Sequence, residues 1–185
     1  MTCSAIRLRW LNRLLPQLVG VRAHLLPIVT LDLNTGLREM ELLTLKPEHI
    51  DFHRDVIHVK GTKSDEDREV PINGTARKLL TELVGVAKQK DHEYLFTNPK
   101  TNRHHACIKN AWNTACRKAG ITNLRFHDLR HTFGTRAVVN GASIDRDNDA
   151  VRSCYRRRKE ARGRSGGKDA ETGRVWFSGH NSVTK

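Results

Sequence analysis

Leu31-Asp32-Leu33-Asn34-Thr35-Gly36-Leu37-Arg38-Glu39-Met40-Glu41-Leu42-Leu43 is the stretch on which the reading of this 185-residue chain turns. Apolar residues from Leu25 to Leu45 recur at helical spacing and are interrupted at Thr35-Gly36, which predicts two helices separated by a tight break. Arg38 falls in the first turn after that break, where the helix dipole disfavours a cation. An anion bound there would reverse the preference, because backbone N–H groups and a bidentate guanidinium can converge on one phosphate. Taken alone, a solvent-facing arginine is the plainer reading.

Working outward, Lys46-Pro47 ends the second helix. From Ile50 to Ile72 the pattern shifts to short β-branched alternation, in Ile50-Asp51-Phe52, Val56-Ile57-His58-Val59 and Glu69-Val70-Pro71-Ile72, which predicts a small antiparallel sheet. Helical patterning returns at about Thr75 to Lys88 and at Ala106 to Ala119, the latter capped by Gly120. A last helix starts near His127 and stops at Asn140-Gly141. The expected fold is therefore mainly α with a small antiparallel β-sheet, an α+β arrangement.

Three segments follow from composition. Residues 1–21 are a short N-terminal segment, 22–144 the folded domain, and 145–185 a basic, disordered or aberrant tail. The first 144 residues hold 19 leucines, whereas the last 41 hold neither leucine nor isoleucine and so cannot build much core. That tail carries eleven Lys and Arg against six Asp and Glu, densest at Arg156-Arg157-Arg158-Lys159.

The whole chain has 33 Lys and Arg against 20 Asp and Glu, a formal charge of +13 and a pI near 10.1. This charge favours a polyanion such as nucleic acid as partner, although ribosome-like and membrane-surface proteins share it. Cys3, Cys107, Cys116 and Cys154 form no C-x-x-C pair, so a reduced cytoplasmic protein fits better than a disulfide framework. Arg7, Arg9, Arg13 and Pro16 interrupt the N-terminal apolar stretch, which excludes a membrane span or signal-peptide core there.

His127-Asp128-Leu129-Arg130 repeats a cation at a helix start, with His127 and Arg130 three apart on one face. Asp128 suits the N-terminal dipole, while Leu129 and Phe133 would face the core. A capping or core histidine is the structural alternative for His127. His127 with His131, and His104-His105 with Cys107, have metal-like spacings, but neither completes a zinc pattern, and no metal or cofactor is assigned.

The combination carries more than its parts. Thr35-Gly36-Leu37-Arg38 with Glu41-Leu42, then Gly61-Thr62-Lys63-Ser64 ahead of Pro71, then His127-Asp128-Leu129-Arg130-His131-Thr132-Phe133 resembles the catalytic domain of tyrosine recombinases, the phage integrases, over residues 22–144. The resemblance implies metal-free phosphoryl transfer, in which a tyrosine attacks a DNA phosphate and the 5′-hydroxyl leaves. Arg38 and Arg130 would hold the non-bridging oxygens, and His127 would hydrogen-bond or move a proton. Lys63 would protonate the leaving oxygen, with Lys60 a rival for that role. Glu41 would orient Arg38, with Asp128 and His131 in support. Arg38, Lys60, Lys63 and Arg130 would contact double-stranded DNA, and other recombinase subunits would be partners.

The chain also departs from that pattern. The family's apolar helix, Leu-Gly-His motif and nucleophilic tyrosine do not follow on schedule. Gly179-His180-Asn181-Ser182-Val183 resembles the Gly-His element but lies 53 residues after His127. Tyr155 comes too early and lacks a preceding Gly-His, and Tyr94 falls in a short apolar segment expected in the core. The segment before Arg22 is too short for the family's helical DNA-clamping domain. A truncated or frame-shifted gene would explain the compositional break at Asp145. The expectation is a DNA-binding recombinase domain defective in cleavage. The alternatives are an active enzyme using Tyr155 or a partner's tyrosine, and a non-enzymatic DNA-binding regulator.

Overall fold

The computed structural model describes residues 10–61 and 67–139. The tail expected at 145–185, with Tyr155 and His180, lies outside the described residues, as does Lys63.

The break at Gly36 forms as the sequence predicts. Helix α1 (Leu25–Thr35) ends where Gly36 turns left-handed, with φ 62°, and sends its N–H to the Asp32 carbonyl at 2.8 Å. Glycine adopts that backbone without a Cβ clash, which is why the chain can reverse there in one residue. Helix α2 (Glu39–Leu43) is only five residues long. It inserts Leu42 and Leu43 into the core, and Thr44 ends it.

Helix α1 is apolar on nearly every side and is correspondingly buried along most of its length. It packs against α2, against α3 (Gly74–Gln89) and, most extensively, against α5 (His127–Val139). Asn73 caps α3 by accepting the Ala76 N–H at 2.9 Å, and its side-chain amide donates to Asn34 Oδ1 at 2.9 Å, tying α3 to the end of α1.

Strands β1 (Ile50–Asp51), β2 (Val56–Val59) and β3 (Arg68–Pro71) form an antiparallel sheet in that order. Ile57 pairs with Val70 and Val59 with Arg68, so the buried face of β2 continues onto Val70 and Arg68. Pro71 is tolerated because β3 is an edge strand. Beyond β3's partner strand, the Gly61 N–H donates to Asp67 Oδ1 at 2.7 Å and draws the two ends of the hairpin together.

Three expectations need correction. The helix expected from Ala106 begins only at Lys109, as α4 (Lys109–Lys118), because the residues before it form a second hairpin. Its strands β4 (Thr97–Asn98) and β5 (Arg103–His104) are joined through Asn102, left-handed at φ 53°, whose N–H returns to Asn98 at 2.9 Å. Tyr94 is half-buried rather than core, and lies between the Lys46 ammonium and the edge of His104. The expected boundary at residue 22 also falls inside the packing. Leu14 and Leu18 are fully enclosed in the same core as α1, and Arg13 donates to the Gly120 carbonyl at 3.0 Å. Beneath α4, Trp112 is buried, with its indole N–H on the Leu124 carbonyl at 3.0 Å and its ring against the edge of Phe126.

Candidate functional site

The segment Gly36-Leu37-Arg38 is held from two sides, first by a carboxylate. Arg38 occupies the N-cap of α2 in extended conformation. Glu41, three residues on, takes the Arg38 backbone N–H at 2.8 Å through Oε2 and the Arg38 guanidinium at 3.0 Å through Oε1. This is the carboxylate half of a capping box, and it fixes both ends of Arg38 with one side chain. The Arg38 side chain remains 40% exposed.

Behind Glu41 stands a residue that the sequence reading missed. Arg68 donates from β3 to Glu41 Oε2 at 2.6 Å, and its side chain is only 8% exposed. Burial alone would raise the Glu41 pKa, but the hydrogen bonds from Arg68 and Arg38 outweigh it and hold the carboxyl below its ordinary range. The signal was available in the strand pattern, because alternation through Val70 places Arg68 on the inner face of β3.

The second hold comes from α5. Arg130 is buried, and its guanidinium donates to the carbonyl of Gly36, 94 positions earlier in the chain. Asp32 lies one turn back on α1, 1% exposed, and neither of its carboxylate oxygens has a hydrogen-bond partner among the described residues. Burial pushes its carboxyl well above the ordinary range, Arg130 pulls it back, and Glu39 adds to the rise.

His127 opens α5 on the exposed side and meets His131 edge-on, with ring centroids 4.6 Å apart. Leu129 is buried as expected, whereas Phe133 is only half-buried. Asp128 turns toward the preceding loop and accepts the Arg125 backbone N–H at 2.8 Å. Lys60 is exposed just after β2, on a groove of about 520 Å³ shared with His58 and Arg68. Arg38, Glu41 and Arg130 are thus brought to one loop, joined by Arg68 and Asp32, while Asp128 serves the helix start. Among the described residues, no three His, Cys, Asp or Glu side chains group as metal ligands. His105 stacks on His24 instead, at 4.9 Å.

Two guanidiniums, one half-exposed and one buried beneath the adjoining loop, can hold the oxygens of a tetrahedral anion from different directions. Known proteins share the fold. The phage integrase family profile matches residues 11–147. The integrase of Salmonella phage P22 is 31% identical over 157 residues, covering 75% of this chain and 39% of that protein. The crystal structure of XerA recombinase superposes with a TM-score of 0.60 at 24% identity, over 82% of this chain and 62% of that one. The Tn1549 transposon integrase in complex with circular intermediate DNA gives a TM-score of 0.60 at 17% identity, over 78% of this chain and 53% of that one. The chain spans about two fifths of the length of the curated relatives it matches.

Proposed function

The chain belongs to the phage integrase family of tyrosine recombinases, and from that premise we propose that its helical domain binds double-stranded DNA and grips the phosphate to be transferred between Arg38 and Arg130. The observation that carries the proposal is the hydrogen bond from Arg130 to the Gly36 carbonyl, which sets the second guanidinium beside the Arg38 loop. The formal charge of +13 supports a polyanionic partner. The DNA seen with the Tn1549 integrase supports duplex DNA as that partner. No helix among the described residues is long and apolar enough to cross a membrane.

In the proposed reaction a tyrosine oxygen attacks phosphorus, the bond to the 5′-oxygen breaks, and Lys63 returns a proton to that oxygen. Arg38 and Arg130 neutralise the charge that grows on the non-bridging oxygens. Glu41 keeps Arg38 aimed, and His127 hydrogen-bonds or shuttles a proton from its exposed place at the start of α5. Lys60 adds a DNA contact at the rim of the groove.

The family's nucleophilic tyrosine, preceded by its Gly-His motif, is the element of the pattern that neither tyrosine of this sequence matches. Tyr94 and Tyr155 are the two tyrosines, and Tyr94 is held between Lys46 and His104. Covalent catalysis needs a group in line with the leaving oxygen, and a misplacement of about 1 Å already costs ~100-fold in rate. The chain is therefore proposed to bind DNA without cleaving it.

The experiment is a titration of labelled duplex at several salt concentrations, followed by denaturing electrophoresis on a nicked substrate that traps phosphotyrosyl intermediates. The expected result is binding that weakens steeply with salt and no covalent band. Salt-indifferent binding would contradict a phosphate-dominated site. A covalent band lost in Tyr155→Phe would make the chain an active recombinase.

A further inference from the structure

Glu41 poses an electrostatic difficulty for the proposed phosphate site. A carboxylate 3.0 Å from the Arg38 guanidinium fixes its geometry, yet the same carboxylate offsets its charge. A neutral Arg38–Glu41 pair would be a poor partner for a phosphodiester. The structure supplies a second cation at this point. Arg68 sits 2.6 Å from Glu41 Oε2 while Arg38 Nη1 holds Oε1, so the three side chains together carry two positive charges and one negative.

We infer that Arg68 is a positioning residue whose buried guanidinium both orients Glu41 and cancels its charge, so that Arg38 is held by a carboxylate yet still offers net positive charge to a DNA phosphate. This rests on the reading of Arg38 as a phosphate ligand. Arg68 spends Nη2 on Glu41 Oε2 at 2.6 Å, whereas 40% of the Arg38 side chain remains exposed to a ligand. Its effect is carried through Glu41. Because Arg68 opens β3, it also ties the hairpin that carries Lys60 to the Arg38 loop.

The charge arithmetic gives a test that a merely structural arginine would fail. Arg68→Met leaves the Arg38–Glu41 pair neutral, and should weaken duplex binding roughly tenfold while lowering the salt slope by about 1. Adding Glu41→Gln to Arg68→Met restores one positive charge, and should bring the slope back to that of the parent chain. Arg68→Lys keeps the charge and should bind within about threefold of the parent, the loss coming from poorer geometry rather than charge. The three variants are compared with the full 185-residue chain by salt titration, with circular dichroism to confirm that each is folded. Parent-like binding by Arg68→Met, or a double variant no better than Arg68→Met, would overturn the inference while leaving the phosphate site standing. Absence of salt-dependent binding in the parent chain would overturn the phosphate site and this inference together.

Discussion

Arg130→Met should destabilise the fold by about 3–5 kcal/mol, the usual loss when one partner of a buried charged pair is removed. Two buried groups lose their complement at once: the Gly36 carbonyl loses its donor, and Asp32 loses a cation that favours its ionised form. The sign of the pH dependence follows from Asp32. Its pKa in the folded protein lies above the unfolded value, so the stability associated with it is fully present at acid pH and is lost as pH rises from the ordinary carboxylate range through the raised value. Removing Arg130 raises that value further, so the defect should be smallest in acid and largest at neutral pH. Asp32→Asn should abolish the pH-dependent part, both in the parent and in the Arg130→Met background. Urea denaturation of the four proteins at acid and neutral pH reads this directly. An Arg130→Met defect that is the same at both pH values, and the same with Asn at position 32, would show that the two side chains are not coupled.

Trp112→Ala should destabilise by about 3–5 kcal/mol, the range for large aromatics cut from a closed core. Trp112 is fully buried on α4, donates to the Leu124 carbonyl at 3.0 Å, and backs Phe126 immediately before α5 begins. Its loss would leave a cavity and leave the Leu124 carbonyl with only the long contact from Cys116 Sγ at 4.0 Å among the described residues, and would loosen the segment that sets the start of α5. Trp112→Phe should recover most of the packing but not the hydrogen bond, leaving a defect of about 1–2 kcal/mol. Denaturation by urea, followed through far-ultraviolet circular dichroism, measures both. A Trp112→Ala loss below about 1 kcal/mol would mean that the α4 face is far less tightly packed than its burial implies.

The parts of the fold legible in the sequence were those set by period and punctuation. The Thr35-Gly36 break was visible because glycine readily turns left-handed and ends a helix in one step. The hairpin at Thr97–His104 was not visible. Its strands are two residues each, too short for any alternation to show, and its turn depends on Asn102 adopting a left-handed backbone. At the site, Arg38, Glu41 and Arg130 could be singled out because their spacing matches a known pattern. Asp32 could not, since an acid in an apolar helix becomes informative only once its burial is known, and Arg68 was passed over because the strand was read from Glu69, one residue short of it. The burial of Leu14 and Leu18 was hidden for a related reason, because arginines interspersed in the same segment masked its apolar face.

Arg38 and Arg130 are proposed to act on one phosphate, and a double-mutant cycle on DNA affinity measures whether they do. Lysine keeps the charge at either position but cannot reproduce the forked guanidinium geometry. Arg38→Lys and Arg130→Lys should each weaken duplex binding, and the two together should weaken it less than the product of the single effects, because either change alone already disrupts the shared grip. A coupling of about 1 kcal/mol or more is the expected result. Strictly additive losses would place the two arginines on separate phosphates and contradict the account.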